Sequence, residues 1–255
     1  MERVAVVTGA GQGIGRVIAM AFADAGYDLV LAARNVANLN ETADLVTGKG
    51  SEAHVVPTDL TSQAEVAALA DAVESIGRIH TLVNNSGIGG PSGPMWELDV
   101  DEWDETFAVN TRGVFLATRA LLPQMIELGS GSVTVIGSHT GKRPLWGRTA
   151  YATSKMALVG LVRTLALETG PHGIRTNLIS PGWVAGPRID WVMQKQAEAK
   201  GQTYEEARAE FEAHSPLLRL TEAQDVANTC VFLASDNAAG ITGADINVNS
   251  GVVMY

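Results

Sequence analysis

The sequence predicts an α/β protein built on one doubly wound parallel sheet of about seven strands, with helices on both faces. Three observations predict it. Short apolar runs of strand length alternate with segments of helical apolar spacing along the whole chain. A glycine-rich turn stands between the first such run and the first helix. No Pro/Ser linker, low-complexity stretch or repeat of about 20–50 residues interrupts the pattern, so 1–255 reads as a single domain.

Arg3 to Val7 is apolar without alternation, the mark of a strand buried on both faces. Thr8-Gly9-Ala10-Gly11-Gln12-Gly13-Ile14-Gly15 follows, then a helical pattern closed by Gly26. Strand, glycine turn and helix start together make a phosphate cradle. Glycines let the backbone approach a pyrophosphate, and the helix start supplies free N–H groups and a positive dipole end. The plainer reading is a structural turn.

Asp28 to Ala33 is the second strand. In dinucleotide-binding folds an acidic residue near its end holds the adenosine ribose. Here Ala33 and Arg34 stand in that place. A guanidinium pairs with a 2′-phosphate, so Arg34 favours NADP(H) and leaves NAD(H) possible. Its plain reading is a solvated loop charge. A helix over Val36 to Val46 and a third strand over Ala53 to Pro57 lead to Asp59. That carboxylate suits an adenine amino group or a helix N-cap, and Ser62 or Thr61 suits the cap equally.

The fourth strand, Ile79 to Val83, ends in Asn84-Asn85-Ser86-Gly87 and a glycine- and proline-rich loop. The asparagines can stitch neighbouring strand ends, and Gly87 leaves room for a ribose. Asp101 to Leu128 reads as one long helix carrying Asn110, with Pro123 marking a bend or late break. Asn110 on that helix is either a packed polar residue or part of a relay. The fifth strand includes Val133 to Ile136, the sixth Ile174 to Ile179, and the last Ile246 to Val248. Between them, 185–216 is a polar helical excursion expected to form a substrate lid, and Glu222 to Ser235 a further helix.

Ser138 follows the fifth strand, at the carboxyl edge where open α/β sheets bind ligands. Tyr151 and Lys155 are four apart in a segment of helical spacing, so phenol and ammonium share one helix face. A free phenol, with a pKa of about 10, is a poor base at neutral pH, and a neighbouring ammonium favours its phenolate. A serine hydroxyl beside the phenol orients an alcohol or carbonyl oxygen. The set suits moving a hydroxyl proton while a hydride leaves or joins the carbon. Taken alone, a Tyr and a Lys at this spacing are ordinary surface residues of an amphipathic helix.

These residues together resemble the short-chain dehydrogenase/reductase family over nearly the whole chain. The turn at 8–15 is similar to its cofactor motif, and Asn84-Asn85-Ser86-Gly87 to its NNAG, with Ser86 for alanine. Asn110, Ser138, Tyr151 and Lys155 match the catalytic tetrad, and Pro181-Gly182 the turn beside the nicotinamide. The resemblance implies a Rossmann-type domain and an NAD(P)-dependent enzyme interconverting a secondary alcohol and a ketone. Tyr151 would be the general acid/base, Lys155 would lower its pKa and hold the nicotinamide ribose, Ser138 would position the substrate oxygen, and Asn110 would hold a relay water. Gly9, Gln12, Gly13, Ile14 and Gly15 would lie along the cofactor, with Asp59 and Leu60 near adenine, Asn85 and Gly87 near ribose, and Pro181, Gly182 and Val184 at the nicotinamide. The family's usual threonine after the Pro-Gly turn is replaced by Gly186. Assembly as a homotetramer or homodimer is implied too.

The substrate pocket is expected to involve Ser138, His139, Trp146, Trp183 and Arg188, with Gly89 and Gly90 opposite. The arginines, Arg148 among them, suit an acidic group and the tryptophans a sugar or aromatic ring. Each also has a plain reading as lid surface, lid core or structural histidine. The expected substrate is a polyol, sugar or hydroxy acid. The alternative is a 3-oxoacyl thioester of acyl carrier protein, and an alternative of another class is a non-catalytic dinucleotide-binding protein.

Composition supports one core, with 46% apolar and 18% charged residues. A formal net charge of −10 argues against a nucleic-acid partner, whose phosphates demand a basic surface. The single cysteine, Cys230, sits in an apolar helical pattern and forms no internal disulfide. No metal-ligand cluster, membrane span or secretory leader is expected, and the default location is cytoplasmic.

Overall fold

The computed structural model of the chain describes residues 3–255. Along it run β1 (Arg3–Thr8), α1 (Gly13–Asp24), β2 (Tyr27–Ala33), α2 (Val36–Thr47), β3 (Ala53–Pro57), α3 (Gln63–Ile76), β4 (Ile79–Asn84), α4 (Val100–Phe107) and α5 (Gly113–Leu128). Then follow β5 (Gly131–Ile136), α6 (Thr149–Thr169), β6 (Ile174–Pro181), α7 (Pro187–Lys200), α8 (Tyr204–Ala213), α9 (Ala223–Ala234) and β7 (Asp245–Val248). The strands form one parallel sheet in the order β3-β2-β1-β4-β5-β6-β7. The order reverses between β1 and β4, and the crevice at such a switch point lies outside the strands' carboxyl ends.

The unbroken apolar run of β1 follows from this topology. Ala5 and Val7 join a core with Ile18 and Phe22 of α1 and Val226 and Cys230 of α9. Val4 and Val6 point the other way, into a core with Leu69 of α3, Leu121 of α5 and Leu158 of α6. A strand covered by helices on both faces has no polar side to show.

The helix expected over 101–128 is interrupted, and not at Pro123. Pro123 lies inside α5, which continues to Leu128. The interruption is a π-helical turn over Ala108–Arg112, which carries the buried Asn110. Such a turn widens the backbone hydrogen-bond pattern locally and frees groups for other partners. It re-aims Asn110 toward α6, a change that apolar spacing does not record.

Phe22 is fully buried and meets Tyr27 edge to face, ring centroids 5.0 Å apart. Phe22→Ala is expected to destabilise the fold by about 3–5 kcal/mol, the cost of a large buried aromatic. Urea unfolding with an unchanged denaturant slope checks this; a loss below about 1 kcal/mol would show that the α1 face collapses into the gap.

Candidate active site

The turn after β1 is built to let something approach. Gly9 (φ +66°) and Gly13 (φ +54°) take left-handed conformations that side chains disfavour. A Cβ on Gly9 would stand 2.9 Å from Asn85 Nδ2, and one on Gly15 would collide with the Gly9 carbonyl. Gln12 occupies the N-cap of α1 in an extended conformation without capping it by its side chain, so N–H groups of the first turn stay unpaired. Ile14 packs partly against the core beneath. Thr8 escaped the sequence reading as a contributor. Its hydroxyl accepts from the Asn85 and Ser86 N–H groups at 3.0 and 3.1 Å. Asn85 Nδ2 returns a bond to the Thr8 carbonyl at 3.0 Å. The glycine turn and the end of β4 are thereby one rigid unit.

At the far end of the crevice, Arg34 is exposed and has neither hydrogen bond nor ion pair to its side chain among the described residues. Asp59 does not cap α3: Ser62 does, accepting from the Glu65 N–H at 3.3 Å. One Asp59 oxygen accepts from both the Thr61 N–H and hydroxyl at 2.8 Å. Those bonds, led by the backbone one and joined by the charge of Arg34, hold the Asp59 carboxyl below its usual range against the cost of burial. Leu60 turns its side chain into a small core with Val66, Leu116 and Ala117, so only its backbone remains for a ligand.

Ser138, Tyr151, Lys155 and Asn110 are organised around α6. The Lys155 ammonium is buried and donates to the Ile136 carbonyl, the last residue of β5, at 2.8 Å. Among the described residues it has no carboxylate partner. Burial pushes its pKa down; Tyr151 pulls it up, and Arg188 pushes it down again. Asn110 Oδ1 accepts from the Ile88 N–H at 2.8 Å, and its Nδ2 donates to the Ile88 carbonyl and to Ser154 Oγ, both at 3.0 Å. Gly87 lies between: a Cβ there would stand 3.2 Å from both Asn110 Oδ1 and Lys155 Nζ. Ser138 opens a short 3-10 turn over His139–Gly141, its Oγ accepting from the Thr140 N–H at 3.1 Å. Gly141 packs on Met156 of α6, which brings the serine turn to the helix bearing Tyr151.

The residues expected around the substrate pocket take different places. Trp183 meets His139, Phe211 and His214 at ring distances of 5.3, 5.0 and 5.8 Å. A core of Ile189, Met193, Ala197, Ala207 and Leu220 lies beneath α7 and α8. Trp146 and Trp191 are mostly exposed. Trp146, Arg148 and Trp183 line a cavity of about 390 Å³ with Arg143 and Phe211. His139 does not line it. Arg188 instead stands over the Tyr151 ring, 5.7 Å from its centroid, and Arg148 does the same at 5.1 Å. Gly182 permits close passage of β6 against Asn249 and Thr221, and Val184 bridges to Thr221. Gly186 has φ +138° in open space, a conformation a threonine disfavours.

Sequence reading also missed the buried pair that braces the serine turn. Lys142 meets Asp245 of β7 at 2.8 Å, and Ser180 donates to the same carboxylate at 2.7 Å. No local pattern announces a contact between residues so far apart.

His139 is almost fully buried, and its Nδ1 lies 3.0 Å from the Pro181 carbonyl. A carbonyl only accepts, so Nδ1 carries the proton. Burial pushes its pKa below the ordinary value, the Pro181 bond opposing and Arg143 adding to the shift. The unfolded chain therefore takes up this proton first as pH falls below about 6.5. Its contribution to stability is present above that pH and lost as pH falls toward the folded-state value. His139→Asn is expected to flatten the decline in unfolding free energy between about pH 7 and 5. An undiminished decline in the variant would assign the loss to other groups.

Known proteins share this frame. The family model described as enoyl-(acyl carrier protein) reductase matches residues 9–253. A short chain dehydrogenase/reductase of Aspergillus oryzae is 38% identical over 255 residues, covering 99% of this chain and 95% of that protein. Among solved structures, NAD⁺-bound xylitol dehydrogenase is similar with a TM-score of 0.92 and 29% identity over 98% of both chains. An actinorhodin polyketide ketoreductase variant with NADPH has a TM-score of 0.94 and 33% identity, covering 100% of this chain and 98% of that one. Similarity that runs from the glycine turn through the lid to β7 admits one assignment: the chain belongs to the short-chain dehydrogenase/reductase family of oxidoreductases.

Proposed function

We propose that the protein is an NAD(P)-dependent enzyme that interconverts a secondary alcohol and a ketone, with Tyr151 as general acid/base. The observation that carries this reading is Lys155: a buried ammonium with no carboxylate partner among the described residues, one helical turn from a phenol, fixed at the end of β5. An unpaired buried charge is costly, and such groups cluster at functional sites.

The crevice fits a nicotinamide dinucleotide. Its diphosphate would meet the uncapped start of α1 over Gly9, Gln12, Gly13 and Gly15. Asp59 keeps one oxygen outside its Thr61 bonds for an adenine amino group. Asn85, Gly87 and Lys155 would border the nicotinamide ribose, and Pro181, Gly182 and Val184 the nicotinamide. Bound there, the cofactor supplies the hydride acceptor or donor. Arg34, exposed and without a partner among the described residues, favours NADP(H) through its 2′-phosphate; NAD(H) fits the same crevice without that contact.

Ser138 Oγ holds the substrate oxygen beside the phenol. Tyr151 takes the hydroxyl proton in oxidation and returns it in reduction. Lys155 places its charge one helical turn from the phenol, and Asn110, anchored at three points, borders the space over Gly87 where a water would link it to Lys155. The substrate is a polyol, sugar or hydroxy acid. The alternative, a 3-oxoacyl thioester on acyl carrier protein, is favoured by 33% identity over 259 residues to a 3-oxoacyl-[acyl-carrier-protein] reductase of Staphylococcus epidermidis and disfavoured by the acidity of the chain, since that carrier calls for a basic docking patch. A non-catalytic dinucleotide-binding protein has no use for the Tyr151–Lys155 pair. We read the protein as cytoplasmic, consistent with its lone buried cysteine, and as a homotetramer or homodimer. Exposed Phe115, Met156 and Leu167 on α5 and α6 support assembly. Among the described residues no helix is long and apolar enough to cross a membrane.

Tyr151→Phe is expected to cut turnover by at least about 100-fold while leaving cofactor affinity unchanged. Unchanged turnover would overturn the enzyme reading. Fluorescence titration with NADPH and NADH tests the cofactor. Arg34→Ala is expected to weaken NADPH about 10-fold or more and leave NADH unchanged; equal effects on both would remove Arg34 from the phosphate site.

A further inference from the structure

We propose that Arg148 and Arg188 form an anion clamp for a carboxylate carried by the substrate, so that the enzyme acts on short hydroxy acids and their oxo acids. This deepens the preceding reading and rests on it.

The two guanidiniums flank the same ring. Arg148 Cζ lies 5.1 Å and Arg188 Cζ 5.7 Å from the Tyr151 centroid. Both also converge on Gly89. A Cβ on Gly89 would stand 2.6 Å from Arg188 Nη2 and 3.3 Å from Arg148 Nη2, so the two nitrogens lie within about 6 Å of each other. A carboxylate bridges such a gap, each oxygen taking one N–H at about 2.8 Å. The absence of a side chain at Gly89 is what leaves Arg188 its place.

Neither arginine has an acidic partner among the described residues. Arg148 spends one nitrogen on the Gly89 carbonyl at 2.7 Å, and the rest of its fork has no hydrogen-bond partner. Arg188 is exposed, and among the described residues its side chain has no hydrogen bond and no ion pair. The chain carries 28 acidic against 18 basic residues, yet no acidic side chain meets this pair, whereas Arg16, Arg208 and Arg219 reach Glu41, Glu212 and Asp225 among the described residues. Two unpaired guanidiniums brought close repel each other, and an anion between them relieves that repulsion. Burial and the nearby charge of Arg188 both push the Arg148 pKa down.

The place of the clamp sets the size of the substrate. It lies above the catalytic ring, so the carboxylate belongs on a carbon adjacent to the reacting carbinol or one further away. Arg148 also lines the cavity of about 390 Å³ beside Trp146, Trp183 and Phe211, which has room for the remaining body. In oxidation the carbinol C–H bond breaks, its electron pair leaving with the hydrogen for the oxidised nicotinamide. The O–H proton goes to the Tyr151 phenolate, a C=O bond forms, and the carboxylate is unchanged.

The test uses the cofactor-loaded protein and follows tryptophan fluorescence or melting temperature on titration with acetoacetate, malonate, methyl acetoacetate and glycerol 3-phosphate. Arg188→Gln removes an exposed side chain and is expected to fold. We expect the two carboxylates to bind the parent protein and to weaken about 10- to 100-fold in the variant, with methyl acetoacetate unaffected. In turnover with 3-hydroxybutyrate and related acids, the variant is expected to raise KM more than it lowers kcat. Carboxylates binding no better than the ester would overturn the proposal. So would selective, Arg188-dependent binding of the phosphate ester, which would assign the clamp to phosphorylated substrates. A variant that loses affinity for NADPH instead would assign Arg188 to the cofactor. Tyr151→Phe is expected to keep acid binding while losing turnover; if its turnover persists, the enzyme reading fails whatever the binding result.

Discussion

The bond from the Lys155 ammonium to the Ile136 carbonyl is the constraint on which the site depends. It joins the middle sheet layer to α6 at the point where β5 ends. Burying an ammonium beside a carbonyl is expensive, because one neutral acceptor does not replace a hydration shell. The surrounding fold sustains that cost. Leu158 and Val162 of the same helix are buried against β-strand residues, so α6 cannot slide to return the charge to water. The chemistry is thus stored as a local electrostatic penalty inside a well-packed layer.

Much of the fold was legible because a parallel sheet covered on both faces writes itself as unbroken apolar runs. Ala53–Pro57 has the same limits in sequence and structure, and other strands differ by one or two residues at their ends. The break at Asn110 was not legible. A π-turn changes which backbone groups pair, and the side-chain spacing on either side still looks helical. Pro123, the visible helix breaker, ends no helix: α5 runs on past it to Leu128.

The site was legible in its parts and less so in its assembly. Residues four apart on one helix declare a shared face, so Tyr151 and Lys155 needed little more than spacing. The role of Thr8 requires β1 and β4 to be neighbours, which local sequence does not state. Arg148 and Arg188 come from different elements, and their convergence over one ring appears only when the lid is folded back across the sheet edge. His139 shows the converse. Adjacent to Ser138 in sequence, it turns away beneath Trp183 and ties the serine turn to β6 through the Pro181 carbonyl.

The brace beneath that turn has a consequence for how the molecule comes together. Lys142 is held by Asp245 and by Asn247, the latter contact spanning 105 residues. Contacts of such separation close late, since the intervening chain must first lose its freedom. The serine turn gains this support only when β7 is docked at the sheet edge. The loop that carries Ser138 is therefore only as firm as the last strand: whatever loosens β7 at its open edge slackens the turn more than 100 residues earlier in the chain.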